Sequence, residues 1–316
     1  MRGLLTLLVL AVAALPAAAQ DKVEVVTTIP DLSDLVRQVG GDRVKVTQLV
    51  APGSDPHAVI AKASMLLKVS RADALICMGL DFEHAFMPAV LQKVRKKHLK
   101  PGGKGYMEVG PRIEALEVPE SMDRLQAVDI HPRGNPHFNM DPENGRLMAA
   151  AVRDLLVVVD PDHAEEYQER FLAWDEEAQR RIADWTARME PLRGQAIATY
   201  HRSWSYFADR YGLTLAGEVE PKPGLAPTAS HLVQLKKDLD AAGVRALLME
   251  PWYPERNVRK LVDERVSLLA FPTTIGLTED AMTYLDFHEA LVAAMLAAHD
   301  IEDPGPAPAA PEEPGT

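Results

Sequence analysis

The alternation of apolar and polar positions falls into two series of the same kind. In the first, Val23 to Ile29 reads as a β-rich run. Helical periodicity follows from Asp31 to Val39 and stops at Gly40-Gly41. Val44 to Val50 reads as a second strand, Ala51 to His57 as a loop, Lys62 to Val69 as a helix and Leu75 to Met78 as a third strand. A further helix is expected from about Glu83 to Lys97, where Pro88 imposes a kink or a late start. In the second series, Ala196 to Tyr200, Leu213 to Val219, Arg245 to Met249 and Val266 to Phe271 read as strands. Helices are expected between them at Trp204 to Tyr211, Thr228 to Ala242 and Glu255 to Glu264, with a last one from about Asp280 to Ala298. Strands separated by helices of this length predict βαβ units and parallel sheets.

Between the series, Asp162 to Met189 has no Gly or Pro. Phe171, Trp174, Ala178, Ile182 and Trp185 recur there at spacings of three and four, one face of a long helix bounded by Pro161 and Pro191. At ~1.5 Å per residue this helix is about 40 Å long, enough to link two stacked domains. The expected fold is therefore α/β, with two lobes that each carry a parallel-rich sheet flanked by helices. Residues 20–160 form the first lobe, 161–191 the linking helix, 192–300 the second lobe, and the Pro-rich stretch 301–316 a disordered tail.

The ends of the chain bear on compartment. Met1-Arg2, an apolar run from Leu4 to Leu15 and small residues at Ala17 and Ala19 make a secretory signal peptide over residues 1–19. The run is shorter than the ~20 residues a membrane span needs. No cysteine follows it, so the expectation is a mature protein exported to the periplasm and not lipid-anchored. The one cysteine, Cys77, lies in an apolar run and reads as core. A net charge of −12 disfavours binding to nucleic acid and to anionic lipid surfaces, and suits cations.

Candidate chemistry rests on the histidines. His57 lies in Gly53-Ser-Asp-Pro-His57 beyond a strand, and His137 in Gly134-Asn-Pro-His137 before a helix near Asp141. His201 directly follows the strand ending at Tyr200. In parallel α/β sheets, ligands bind beyond the carboxyl ends of strands. No local zinc motif links the three, and each is also readable as a solvated loop histidine. His131 lies close enough in sequence to His137 to hand a metal inward. His84, His98, His163, His231, His288 and His299 fall on expected helices or their ends and read as surface or capping residues.

Taken together, the two-series layout, Gly-Ser-Asp-Pro-His57, Gly-Asn-Pro-His-Phe-Asn-Met-Asp-Pro142 and Thr-Tyr-His201-x-x-Trp-x-Tyr-Phe207 resemble the zinc/manganese solute-binding proteins of ABC importers, from Val23 to about Ala298. The resemblance implies that His57, His137 and His201 hold a metal in a cleft between two lobes joined by a rigid helix. It departs at the fourth ligand. Where the family commonly has an aspartate, this chain reads Pro272-Thr-Thr-Ile-Gly276. Glu250, just past the strand Arg245 to Met249, is the candidate replacement, either as a ligand or as an acceptor that fixes a histidine tautomer. Glu279 and Asp280 are weaker candidates.

A nitrogen-rich donor set points to Zn²⁺ over manganese, which prefers oxygen-rich octahedral shells. The function implied is zinc capture for import. The implied partner is the membrane permease of a zinc ABC importer, with a periplasmic zinc metallochaperone as an optional donor, and the protein is expected to be a monomer. Three alternatives remain at this point: a manganese-binding member of the same family, a zinc hydrolase or hydratase using the three-histidine site, and a cleft for haem or a siderophore. The last fits least, since aromatics make up 6% of the chain and no Arg cluster marks an anionic ligand.

Overall fold

A computed structural model describes residues 22–119, 131–222, 224–277 and 282–306. The expected signal peptide, most of the expected tail, Glu279 and Asp280 lie outside the described residues. The first lobe holds β1 (Val23–Thr27), α1 (Pro30–Gly40), β2 (Val44–Gln48), α2 (Ala63–Arg71), β3 (Ala74–Cys77), α3 (Met87–Lys93), β4 (Tyr106–Glu108) and α4 (Pro142–Val159). The linking helix α5 spans Ala164–Met189. The second lobe holds β5 (Ala196–Thr199), α6 (Ser205–Tyr211), β6 (Thr214–Glu218), α7 (Ala229–Ala242), β7 (Ala246–Met249), β8 (Ser267–Ala270) and α8 (Tyr284–Ala298).

Each lobe has a four-stranded sheet, in the orders β2-β1-β3-β4 and β6-β5-β7-β8, and every pairing is parallel. The central strands β3 and β7 are buried along their whole length, as expected where helices cover both faces. The two sheets repeat one connectivity, which is the physical content of the two similar series. β4 escaped the sequence reading because three half-buried residues are too short to show alternation.

Helix starts and lengths depart from expectation where backbone chemistry overrides periodicity. α3 begins only at Met87, with Pro88 in its first turn, a position that needs no N–H donor. Ahead of it, Gly79, Leu80 and Asp81 all have positive φ, and the buried Glu83 carboxylate accepts from the amides of Met78 and Gly79 at 2.7 and 3.1 Å. The expected helix from Glu255 to Glu264 reduces to a short 3-10 turn, Glu255–Asn257. Val258 and Leu261 pin that segment into the core, and it is too short to repay helix nucleation. α8 starts at Tyr284 behind a Thr283 cap.

The linking helix buries Tyr167, Phe171, Trp174, Ala178, Ile182, Trp185 and Met189 in one apolar cluster. That cluster also contains residues of α1, α4, β1 and β3 from the first lobe and of α6, β5, β7 and α8 from the second. Polar ties cross the lobes as well. The Arg210 guanidinium grips the Asp141 carboxylate at 2.7 and 2.8 Å. Asp31 in α1 accepts from Asn139 Nδ2 at 3.0 Å and from the Ile275 amide at 3.2 Å. The lobes therefore share a core and are not beads on a strut. No helix among the described residues is long and apolar enough to cross a membrane.

Candidate metal centre

Three loops at the carboxyl edges of the sheets carry the histidines, and each is set by its neighbours in sequence. His57 sits in a 3-10 turn, Pro56–Ala58, beyond β2, and its amide donates to Asp55 Oδ1 at 2.9 Å. The same device sets His137, whose amide donates to Asn135 Oδ1 at 2.9 Å. In both cases a proline follows the Asx residue and fixes φ, so the side-chain oxygen closes the turn. Asn135 also reaches the other lobe: its Nδ2 donates to the carbonyl of Arg202 at 2.8 Å, next to His201. His201 leaves β5 after Tyr200, whose ring stacks on Tyr253 at 4.1 Å between centroids.

These loops bring the three imidazoles together. One ring nitrogen from each of His57, His137 and His201 lies within 4.8 Å of the others, and among the described residues this is the one such group of three or more His, Cys, Asp or Glu. Nε2 of His57 and Nε2 of His137 are 3.1 Å apart. Tetrahedral zinc with Zn–N of ~2.05 Å requires its nitrogens about 3.3 Å apart, so this pair already stands near the edge length of a coordination tetrahedron. His137 and His201 are buried and His57 half-buried. Phe82 packs edge-on against His57 and His137, with centroids at 5.3 and 5.5 Å, and forms an apolar wall.

Nδ1 of His201 lies 2.8 Å from Glu220 Oε2. A carboxylate accepts, so the proton is on Nδ1 and the lone pair on Nε2 is directed to the cluster. The same Glu220 oxygen accepts from the Gly224 amide at 3.2 Å. The sequence reading missed Glu220, although it stands just past β6, at the same kind of strand end that drew attention to Glu250.

Glu250 follows β7 and is wholly buried, but it stands outside the group formed by the three histidines. Burial pushes its carboxyl above the ordinary range, and attraction to His201 pulls the other way. The stretch Pro272 to Gly276 lies at the same rim. Gly276 packs toward Pro52, and Asn139 Nδ2 donates to the Thr273 carbonyl at 2.8 Å. Two further rings flank the cluster from outside: His131 lies 5.1 Å and His84 5.9 Å from His57 by centroids. His84 is exposed, as expected. His288 and His299 are not surface residues: both are buried on α8 or at its end, with ring nitrogens 3.2 and 2.8 Å from the carbonyls of Asn139 and Met295. Their spacing on an apolar helix, not their polarity, decides their place. Cys77 is buried, and burial raises its thiol pKa well above the ordinary value.

Over residues 25–298 the sequence matches the family described as zinc-uptake complex component A, periplasmic. The chain belongs to this family. Zinc-uptake component A proteins are binding components of ABC importers, not enzymes, which removes the hydrolase alternative. The high-affinity zinc uptake system protein ZnuA of Brucella abortus (strain 2308) is 28% identical over 127 residues, 40% of this chain and 38% of that protein. The aligned part thus spans well under half the length of that relative. The manganese ABC transporter substrate-binding lipoprotein PsaA of Streptococcus pneumoniae is 24% identical over 246 residues, 77% of this chain and 76% of that protein. Among solved structures, a crystal structure of ZnuA superposes with a TM-score of 0.72 at 22% identity, covering 88% of this chain and 99% of that one. The periplasmic zinc binding protein TroA from Treponema pallidum superposes with a TM-score of 0.71 at 22% identity and the same coverage. The two-lobe fold with its linking helix is shared with both.

Proposed function

We propose that this protein captures Zn²⁺ in the periplasm and delivers it to the membrane permease of an ABC importer, with His57, His137 and His201 as the ligands. The observation that carries the reading is the donor set: three imidazole nitrogens converge within 4.8 Å with no carboxylate oxygen among them. A nitrogen-only set suits tetrahedral zinc and leaves manganese short of the oxygens it prefers. Relatives divide on this point, since one is named for zinc and another for manganese. The ion is cargo, so the chemistry required is reversible coordination. His57 and His137 come from the first lobe and His201 from the second, so the bound ion bridges the lobes.

Glu250 acts in this reading as a buried anion behind His201 that offsets the charge of the dication, and the fourth position falls to water. Glu220 orients His201. The mature protein works in the periplasm as a monomer and without a lipid anchor, since the apolar run Leu4 to Leu15 is not followed by a cysteine and the single one, Cys77, is buried in the first lobe. A zinc metallochaperone is an optional donor.

The test is competition with a chromophoric chelator on the mature chain. One Zn²⁺ should bind per protein, with manganese far weaker. His57→Ala, His137→Ala and His201→Ala should each lower zinc affinity by at least about a hundredfold, as expected for loss of one of three ligands. Glu250→Gln should lower it less. Unchanged affinity in all three histidine variants would reject the assignment, and tighter manganese than zinc binding would reject the cargo.

A further inference from the structure

The pole of the first lobe opposite the metal loops is charged against the average of the chain. Residues 84–107 contain no Asp or Glu but six Lys or Arg, in a protein of net charge −12. Lys93, Arg95, Lys97 and Lys104 are exposed there and Lys100 is half-buried. Lys96 alone folds back, donating to the carbonyls of Arg71 and Ala72 at 3.2 and 2.7 Å. Among the described residues, the other five cations form no ion pair, whereas most arginines elsewhere are held by carboxylates, Arg146 and Arg188 among them.

The turn that presents these cations is built, not slack. Leu99 is fully buried as its anchor. The Gly105 amide donates to the His98 carbonyl at 2.9 Å, and that of Gly103 to the Lys100 carbonyl at 2.7 Å. A Cβ on Gly103 would collide with the His98 carbonyl, and Gly102 has φ of 82°. The turn leads straight into β4, so it lies at the amino ends of the strands. Lys22, one residue before β1, lies on the same edge. A recess of about 400 Å³ beside the turn is lined by Lys22, His98, Lys104, Val158 and Asp73, with Asp160 also facing it. Both acids are already engaged: Asp73 accepts from the Glu24 amide at 2.9 Å, and Asp160 is bonded to His163 and Tyr167.

We infer that this basic pole is a docking surface for an anionic membrane, with phospholipid headgroups as its partner. Long, unpaired cations on one edge suit a diffuse anionic surface. The recess beside them is lined by Asp73 and Asp160 as well as by Lys22 and Lys104, and five of the six cations between Lys93 and Lys104 are lysines, without the bidentate forks that would read an acidic peptide. The overall negative charge does not cancel the effect. Screening limits electrostatics to ~8 Å at physiological ionic strength, while a five-residue strand such as β1 separates the two ends of the sheet by about 17 Å. Adsorption through this pole leaves the histidine loops facing away from the bilayer and open to solvent. It does not depend on the identity of the metal.

Co-sedimentation of the mature chain with vesicles tests this. At low salt the protein should bind vesicles containing phosphatidylglycerol and not vesicles of pure phosphatidylcholine. Lys93→Glu, Lys97→Glu, Lys100→Glu and Lys104→Glu combined should weaken that binding by at least about tenfold, as expected for four juxtamembrane charges. Rising salt should weaken it in the same sense, while the zinc affinity and unfolding midpoint of the variant stay at wild-type values. Equal binding to both vesicles, or binding that survives the charge reversal, would overturn the proposal. Absence of binding to anionic vesicles at low salt would also overturn it and leave an acidic protein as the occupant.

Discussion

Glu220 accepts from Nδ1 of His201 at 2.8 Å, and both side chains are buried. The bond fixes the ring plane and the tautomer together, so Nε2 is the nitrogen offered to the ion. Such partners are worth ~10–100-fold in metal affinity. Glu220→Ala is therefore expected to weaken zinc binding by about one to two orders of magnitude. Glu220→Gln, which keeps an acceptor but loses the charge, should fall between the variant and the wild type. Chelator competition on the three proteins reads this directly. Wild-type affinity in Glu220→Ala would remove the orienting role.

How much of this was legible in the sequence depends on the range of the interaction that decides each feature. The two sheets, the linking helix and the strand-end placement of His57 and His201 follow from local periodicity, and the structure has them where periodicity puts them. Features set by partners far along the chain did not show. Glu220 matters only because β6 pairs beside β5, which brings it next to His201. His288 looks like a surface histidine on a helix until α8 is packed against Trp185 and the Asn139 carbonyl. The run of cations from Lys93 to Lys104 was not singled out in the sequence, where a net charge of −12 spoke against anionic surfaces; the fold gathers those side chains on one edge. Net charge averages such a patch away.

The buried His288 and Asp31 bias stability in opposite directions over one pH range. Burial lowers the pKa of His288 from its ordinary 6.5 to about 3. The unfolded chain thus takes up a proton near 6.5 that the native state refuses, and the stability linked to His288 is lost as pH falls from 6.5 through about 3. Burial raises Asp31 from 3.8 to about 7, so the native state binds its proton first, and the stability linked to Asp31 grows as pH falls from about 7 to 3.8. His288→Gln retains a donor for Asn139 and removes the first effect alone. Relative to the wild type, this variant should gain stability on acidification, with a slope of up to about 1.4 kcal/mol per pH unit between pH 6 and 4. Urea unfolding at a series of pH values measures it, and parallel curves for the two proteins would show that His288 titrates normally.

Gly145 on α4 and Tyr284 on α8 decide how rigidly the lobes are joined. A Cβ on Gly145 would overlap the Tyr284 ring, whose hydroxyl donates to the carbonyls of Asn139 and Asp141 at 2.7 and 3.2 Å. The contact joins the two lobes two residues from His137, inside a core that runs continuously through the linking helix. A bistable hinge needs an interface that can open, and this one is close-packed and polar-bonded at once. Small-angle scattering of the metal-free and zinc-loaded protein should therefore give nearly identical curves, with zinc ordering loops and leaving the lobes in place. Gly145→Ala should cost about 1–3 kcal/mol of stability, the usual penalty for overpacking. By forcing Tyr284 off its two carbonyls, it should also make the metal-free form more expanded than the loaded one. A large compaction on zinc binding in the wild-type protein would sink the rigid-lobe account, because the shared core would then have to part in the absence of metal.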